Sequence, residues 1–255
     1  MSAKVIAFCN QKGGVAKTTT VINTGAALAK AGKRVLLIDA DPQSSLSVSL
    51  GLDVYDDDVT TYEIMLKKAD AADAIRENVG SGYDVIATDL RLCQAEIELA
   101  GKMTGRLTAL KKGIKHFISE YDFILIDCPP SLGLITYNAL VAATDVVTPV
   151  QAQYLAISGL TMLLDTLEDV KEENSKLNYL GALITLYNGR TKHAKESRQQ
   201  LTDFLEGKLF ETVIRENIAL ADAGSYAQDI YQYDARSNGA EDYKSFAAEL
   251  LKKEA

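Results

Sequence analysis

The strongest constraint on this chain lies near its beginning. An apolar run at residues 5–9 passes directly into Asn10-Gln11-Lys12-Gly13-Gly14-Val15-Ala16-Lys17-Thr18-Thr19, and a helical pattern follows over residues 17–30. A buried strand, a glycine turn and a helix start in immediate succession commit the segment to a β-loop-α unit. Its backbone N–H groups and the positive end of its helix dipole converge on one point, which suits phosphate. Lys17 would bind the β- and γ-phosphates, and the Thr18 hydroxyl would ligate Mg²⁺. Residues Lys12 to Thr19 are therefore expected to bind ATP with magnesium.

The ordinary G-x-x-x-x-G-K-[ST] pattern does not fit, because its glycine positions fall on Gln11 and Ala16. K-G-G-x-x-K-T fits instead, with a second lysine, Lys12, ahead of the glycines. If Ala16 takes a positive φ, its Cβ costs about 1 kcal/mol, and its methyl would crowd the phosphates.

Short apolar runs alternate with helical patterns along most of the chain. Strands are expected over residues 5–9, 34–39, 83–87, 123–127, 145–150 and 179–186. All are rich in Val, Ile or Leu without polar alternation, as buried parallel strands are. Helices are expected over 17–30, 61–68, 91–102, 104–119, 132–143 and 158–173, then 195–206, a short strand at 211–214 and a closing helix at 239–253. This alternation predicts an α/β fold: a doubly wound, mostly parallel sheet with helices on both faces. No Gly, Ser or Pro-rich linker or internal repeat interrupts it, so a single domain over 1–255 is expected. The acidic stretch 53–58 reads as a solvated loop, not a metal site.

Two further motifs add carboxylates. Asp39-Ala40-Asp41-Pro42-Gln43 ends the second strand, where side chains point into the crevice that the phosphate loop faces. By itself this stretch is equally a capped helix start, with Asp41 or Ser44 as N-cap. Phe123-Ile124-Leu125-Ile126-Asp127 is followed by Cys128-Pro129-Pro130. Four apolar residues ending in aspartate form a Walker B strand, whose carboxylate holds a magnesium-bound water, and the prolines stop the strand. The bland alternative is a buried strand whose last residue caps the next helix.

Together these motifs resemble the deviant Walker A superfamily of ParA, MinD and the nitrogenase iron protein, and most closely a ParA (Soj-like) partition ATPase. Further stretches carry the likeness along nearly the whole length: Thr148-Pro149-Val150-Gln151-Ala152-Gln153-Tyr154, Tyr187-Asn188-Gly189-Arg190-Thr191, and Tyr233-Asp234 through Asn238-Gly239-Ala240. The resemblance implies that Lys12 reaches across an ATP-sandwich homodimer to the partner's nucleotide. It implies that Asp41 orients the attacking water, that Asp39 lies near the magnesium shell, and that Asn217 lies near the adenine. It also implies a ParB-like DNA-binding partner that stimulates slow hydrolysis, and nonspecific DNA binding during segregation of a plasmid, integrative element or chromosome.

The departures fall where that role is decided. Where the family commonly has arginines, residues 214–223 carry Glu216 and Ala219. The cations left for DNA are Arg190, Lys192, Lys195 and Arg198, with His193 among them. A second group, Lys102, Arg106, Lys111, Lys112 and Lys115, reads as solvated surface. The formal charge is -8, so any contact with nucleic acid must come from a local patch.

No run approaches the ~18 apolar residues of a membrane span. The start leaves no room for a signal peptide, and Cys9, Cys93 and Cys128 show no metal-ligand spacing. A reduced, cytoplasmic protein is expected, nucleoid-associated if DNA is bound. A MinD-like membrane cycle would need a basic amphipathic tail, but Phe246, Leu250 and Leu251 read as packing residues. A third reading, from Ala16, Glu216 and Ala219, is a nucleotide-gated scaffold for another cargo that barely hydrolyses ATP. Ligases and reductases of the superfamily are remote, because no Cys pair is placed for a cluster and no substrate domain is inserted.

Overall fold

The computed structural model describes residues 3–55, 58–153 and 156–253. Chain order begins β1 (Lys4–Phe8), α1 (Lys17–Lys30), β2 (Val35–Asp39), α2 (Ser45–Ser49) and α3 (Thr61–Leu66). After a 3-10 turn come β3 (Ile75–Val79), β4 (Tyr83–Ile86), α4 (Leu92–Ala100), α5 (Ala109–Ile114), β5 (Phe123–Asp127) and α6 (Leu134–Ala142). Then follow β6 (Asp145–Gln151), α7 (Ala156–Val170), β7 (Asn178–Tyr187), α8 (Lys192–Leu205) and β8 (Leu209–Arg215). The described chain closes with α9 (Ile218–Ser225), α10 (Ile230–Asp234) and α11 (Asn238–Lys253).

Eight strands form one sheet in the order β3-β4-β2-β5-β1-β6-β7-β8. Every pairing is parallel except β3 with β4. The expected doubly wound, mostly parallel sheet is what forms. The central strands β2 and β5 are buried along their whole length, which accounts for their unbroken apolar runs. One core cluster packs Ile124 and Ile126 against α3 to α7, a second packs Leu37 and Leu125 against α1 and α11, and a smaller third joins Val150 and Ile184 to α7 and α8.

Three expectations need correction. The helix expected over 104–119 is only Ala109–Ile114. Gly105 sits at φ +74, outside the helical region, and Gly113 weakens the helix beyond it. Gly113 also lies so close to α3 that a Cβ there would come within 2.3 Å of Ile64. The helix expected from residue 195 begins at Lys192, because Thr191 accepts a hydrogen bond from the Ala194 N–H and caps it. The sequence reading also lacks β3, α2, α9 and α10.

Phe246 and Leu250 of α11 are fully buried, so the face that a membrane-seeking tail would present is spent on the core. Among the described residues no helix is long and apolar enough to cross a membrane. Asp56 and Asp57 of the acidic loop, Tyr154, and Glu254 of the tail lie outside the described residues.

Candidate nucleotide site

β1, β2 and β5 run side by side in parallel, so their C-terminal ends open on one edge. The pairing sets Phe8 against Asp127 and Asp127 against Asp39. The turn after β1 leads into α1 through Ala16, which holds φ 58° and ψ 36°. This is the left-handed conformation whose cost to a Cβ the sequence anticipates. Gly14 is also left-handed, at φ +73°, and a Cβ on Gly13 or Gly14 would meet nothing within 4 Å. The loop therefore leaves an open cradle lined by backbone, which fits a bulky anion.

The loop is held from below. Asn10 donates to the Pro149 carbonyl at 2.7 Å and accepts from the Lys12 N–H at 2.9 Å. Gln151 donates to the Gly14 carbonyl and Thr185 to the Val15 carbonyl, at 3.1 and 2.9 Å. Thr20 donates to the Ala16 carbonyl at 2.7 Å and its hydroxyl lies 3.1 Å from that of Tyr243. These anchors come from β6, β7 and α11. Amides and hydroxyls scattered that far along a chain carry no local signal, so the sequence reading does not find them.

Lys17 is buried within the first turn of α1. The Thr18 hydroxyl donates to Asp127 Oδ2 at 2.6 Å, which joins the two motifs the sequence places in one crevice. Asp127 is fully buried and its Oδ1 has no hydrogen-bond partner among the described residues. Burial and the neighbouring Asp39 push its carboxyl up to about 8, against the pull of Thr18 and Lys17. An orphaned oxygen on a desolvated carboxylate beside a hydroxyl is a place that a hard cation relieves. Thr18 and Asp127 thus fit magnesium. Among the described residues no cluster of three His, Cys, Asp or Glu could cage a metal alone. Magnesium needs none, since it takes one or two carboxylates and completes its shell with phosphate and water.

Asp39, which the resemblance places near the magnesium shell, is held by hydrogen bonds of its own. Its Oδ2 accepts from the Ser47 N–H at 2.9 Å and the Ser47 hydroxyl at 2.8 Å, and its Oδ1 accepts from the Asp41 N–H at 3.1 Å. Burial raises its carboxyl to about 6, opposed by the Ser47 and Asp41 hydrogen bonds. Asp39 clamps the turn that carries Asp41, and it stands beside Asp127 on the neighbouring strand. Asp41 is buried, and its Oδ1 accepts from the Gln43 N–H at 3.0 Å. The N-cap alternative for Ser44 is not realised, since Ser44 is left-handed and makes no side-chain cap.

Lys12 is exposed, and its ammonium donates to Gln153 at 2.5 Å and Gln151 at 3.3 Å. Cys9 and Cys128, which show no metal-ligand spacing, are buried and flank the loop and Asp127 with sulfurs 3.0 Å apart. Asn217 caps α9, accepting from the Ala219 N–H at 2.8 Å. The cations proposed for DNA gather where α8 begins. Lys192 pairs with Glu196 at 3.5 Å, and the Arg198 guanidinium lies over the Tyr187 ring at 5.8 Å. Arg190 and Lys195 are exposed, as is Glu216.

A family model described as an AAA domain matches residues 3–179. The sporulation initiation inhibitor protein Soj of Bacillus subtilis is 42% identical, covering 97% of this chain and 98% of its own. The chromosome-partitioning ATPase Soj of Treponema pallidum is 41% identical over 97% of each chain. This chain belongs to the ParA/Soj-type ATPases. Among solved structures, cobyrinic acid a,c-diamide synthase of Mycobacterium smegmatis, holding ADP and magnesium, matches with a TM-score of 0.86. It is 37% identical, with 98% of this chain and 94% of that one covered.

Proposed function

We propose that this chain is a partition ATPase that binds ATP and Mg²⁺, forms a homodimer around ATP and hydrolyses it slowly. A ParB-like partner accelerates the hydrolysis, and the cycle moves DNA in a cytoplasmic, nucleoid-associated protein. The observation that carries this reading is the shared edge of β1, β2 and β5. There a backbone cradle, Lys17, the Thr18–Asp127 pair and the clamped Asp41 turn meet.

The chemistry assigned to each group follows from its place. The loop N–H groups and the start of α1 hold the phosphates, and Lys17 adds a cation from beneath them. Thr18 and Asp127 would hold magnesium, which offsets charge on the phosphates when bound. Asp41 aims a water at the terminal phosphate, a task of positioning more than of proton abstraction. Lys12 supplies a second cation across the dimer, where negative charge grows in the transition state.

Replacing Lys17 with alanine removes the buried cation under the triphosphate, so ATP binding is expected to be lost in a titration with a fluorescent analogue. Tight binding by that variant would place the nucleotide elsewhere. Asp41→Ala is expected to keep ATP binding and to lower turnover by about 10² or more. Unchanged turnover would remove Asp41 from the mechanism.

A further inference from the structure

The face built on α5 reverses the charge balance of the molecule. Three adjoining cavities of about 420, 320 and 540 Å³ surround this helix, and Lys112 lines all three. The residues lining them include six lysines, Lys67, Lys102, Lys111, Lys112, Lys115 and Lys176, against one carboxylate, Asp70. The whole chain has 35 acids to 27 Lys and Arg. All six lysines are exposed. Among the described residues none of the six makes an ion pair, whereas nearby Lys68 pairs with Glu98 at 3.1 Å and Lys171 with Glu168 at 2.6 Å.

Like charges gathered without close ion pairs repel one another, although Lys102 acts on nearby Glu98, and an acidic chain had acids to spare for them. The negative end of the α5 dipole accounts for Lys111 and Lys112 in its last turn. It also favours Lys115 at the C-cap, and the dipoles of α3 and α4 favour Lys67 and Lys102 at their own ends. Those dipoles do not explain why three helix ends and Lys176, which precedes β7, gather on one face. Lys67 even occupies a left-handed position, φ 58°, that glycine would fill with less strain. The third cavity also reaches Ala142 to Thr144, between α6 and the start of β6. That is the edge of the sheet opposite the phosphate loop, so this face is separate from the nucleotide site and from the start of α8.

We propose that the α5 face is a binding surface for the sugar-phosphate backbone of nucleic acid. Lysines are point charges on flexible stems, without the fork that selects a carboxylate, and a repeating phosphate chain suits them. A lipid surface suits the face less well. The apolar residues of α5, Ala109, Leu110 and Ile114, are buried, and the exposed Met103 beside Lys102 does not make the broad apolar face that enters a bilayer. The proposal rests on the DNA-binding part of the function proposed above and relocates its contacts.

The test is fluorescence anisotropy of the full chain with ATP and Mg²⁺ on a mixed-sequence DNA duplex, from low to moderate salt. Lys111→Glu/Lys112→Glu/Lys115→Glu is compared with Lys192→Glu/Lys195→Glu, and the triple glutamine variant replaces the first if charge reversal impairs folding. The α5 variant is expected to bind at least about tenfold more weakly at low salt, and its log–log salt slope to be shallower by about three. Its ATP affinity should match the parent. Retained binding in the α5 variant, with loss in the α8 variant, overturns the proposal and leaves DNA binding standing. Absence of DNA binding by the parent chain at low salt overturns both. Vesicles of anionic phospholipid run in parallel: if the α5 variant loses those and keeps DNA, the surface is a lipid site and the proposal fails.

Discussion

Ser47 carries no motif, yet its side chain and backbone both bind Asp39, and its hydroxyl also accepts from the Thr88 N–H at 3.1 Å. Asp39 in turn fixes the Asp41 N–H. Ser47→Ala leaves the Thr88 amide unpaired in a buried place, which costs about 1–3 kcal/mol of stability. It also loosens the turn that aims Asp41, so turnover at saturating ATP is expected to fall about tenfold, while ATP affinity stays near the parent value. Ser47→Thr keeps the hydroxyl and should restore both. Equal losses in affinity and turnover would show that Ser47 supports the whole site and not the aim of Asp41. Ala16 presents a closer balance. Glycine at φ 58° removes a strain of about 1 kcal/mol, but it adds about 0.4–1 kcal/mol of unfolded-chain entropy. The two nearly cancel, so Ala16→Gly should leave the melting temperature almost unchanged. A rise in turnover would then report a methyl group that crowds the phosphates.

Elements were legible in the sequence in proportion to how buried they are. The central strands read correctly because both faces are covered and the apolar run is continuous. β3 did not, because Ile75-Arg76-Glu77-Asn78-Val79 is an edge strand with no fully buried residue, and its composition looks like a loop. Within the site, Lys17, Thr18 and Asp127 were legible because strand-end position alone brings them together. Thr185 and Ser47 were not, because their partners are set by the packing of distant elements, and Gln151 stood in a family-like stretch without a role of its own. The other sheet edge, β8, shows what the closing helix does. Glu249 of α11 accepts from the Glu211 and Thr212 N–H groups at 2.8 and 2.9 Å, and Asp242 accepts from the Arg215 N–H and guanidinium. These carboxylates cover strand donors that would otherwise be open to another chain. Asp242→Ala is expected to cost about 2 kcal/mol, read as a lower urea midpoint. Faster hydrogen exchange should be confined to residues 211–215 if the helix guards that edge.

At the scale of the molecule, the open question is whether the site is complete in one chain. Lys12 is exposed and, among the described residues, held by two neutral amides, Gln151 at the end of β6 and Gln153 just after it. Its own carboxylates, Asp41 and Asp127, lie buried behind the loop, and no ion pair ties the ammonium down among the described residues. A cation held this loosely can be exchanged for a triphosphate on a facing surface at small cost, since a neutral hydrogen bond contributes only about 1 kcal/mol. A homodimer closed around ATP presents such a surface, and a cation against the phosphates repays the exchange. Lys12→Ala is therefore expected to bind ATP nearly as well as the parent and to remain a monomer with ATP and Mg²⁺ in sedimentation velocity. Asp41→Ala, which keeps Lys12 and stalls hydrolysis, should run as a dimer under the same conditions. An ATP-dependent dimer of Lys12→Ala with full turnover would make the site self-sufficient and leave Lys12 as an ordinary surface lysine.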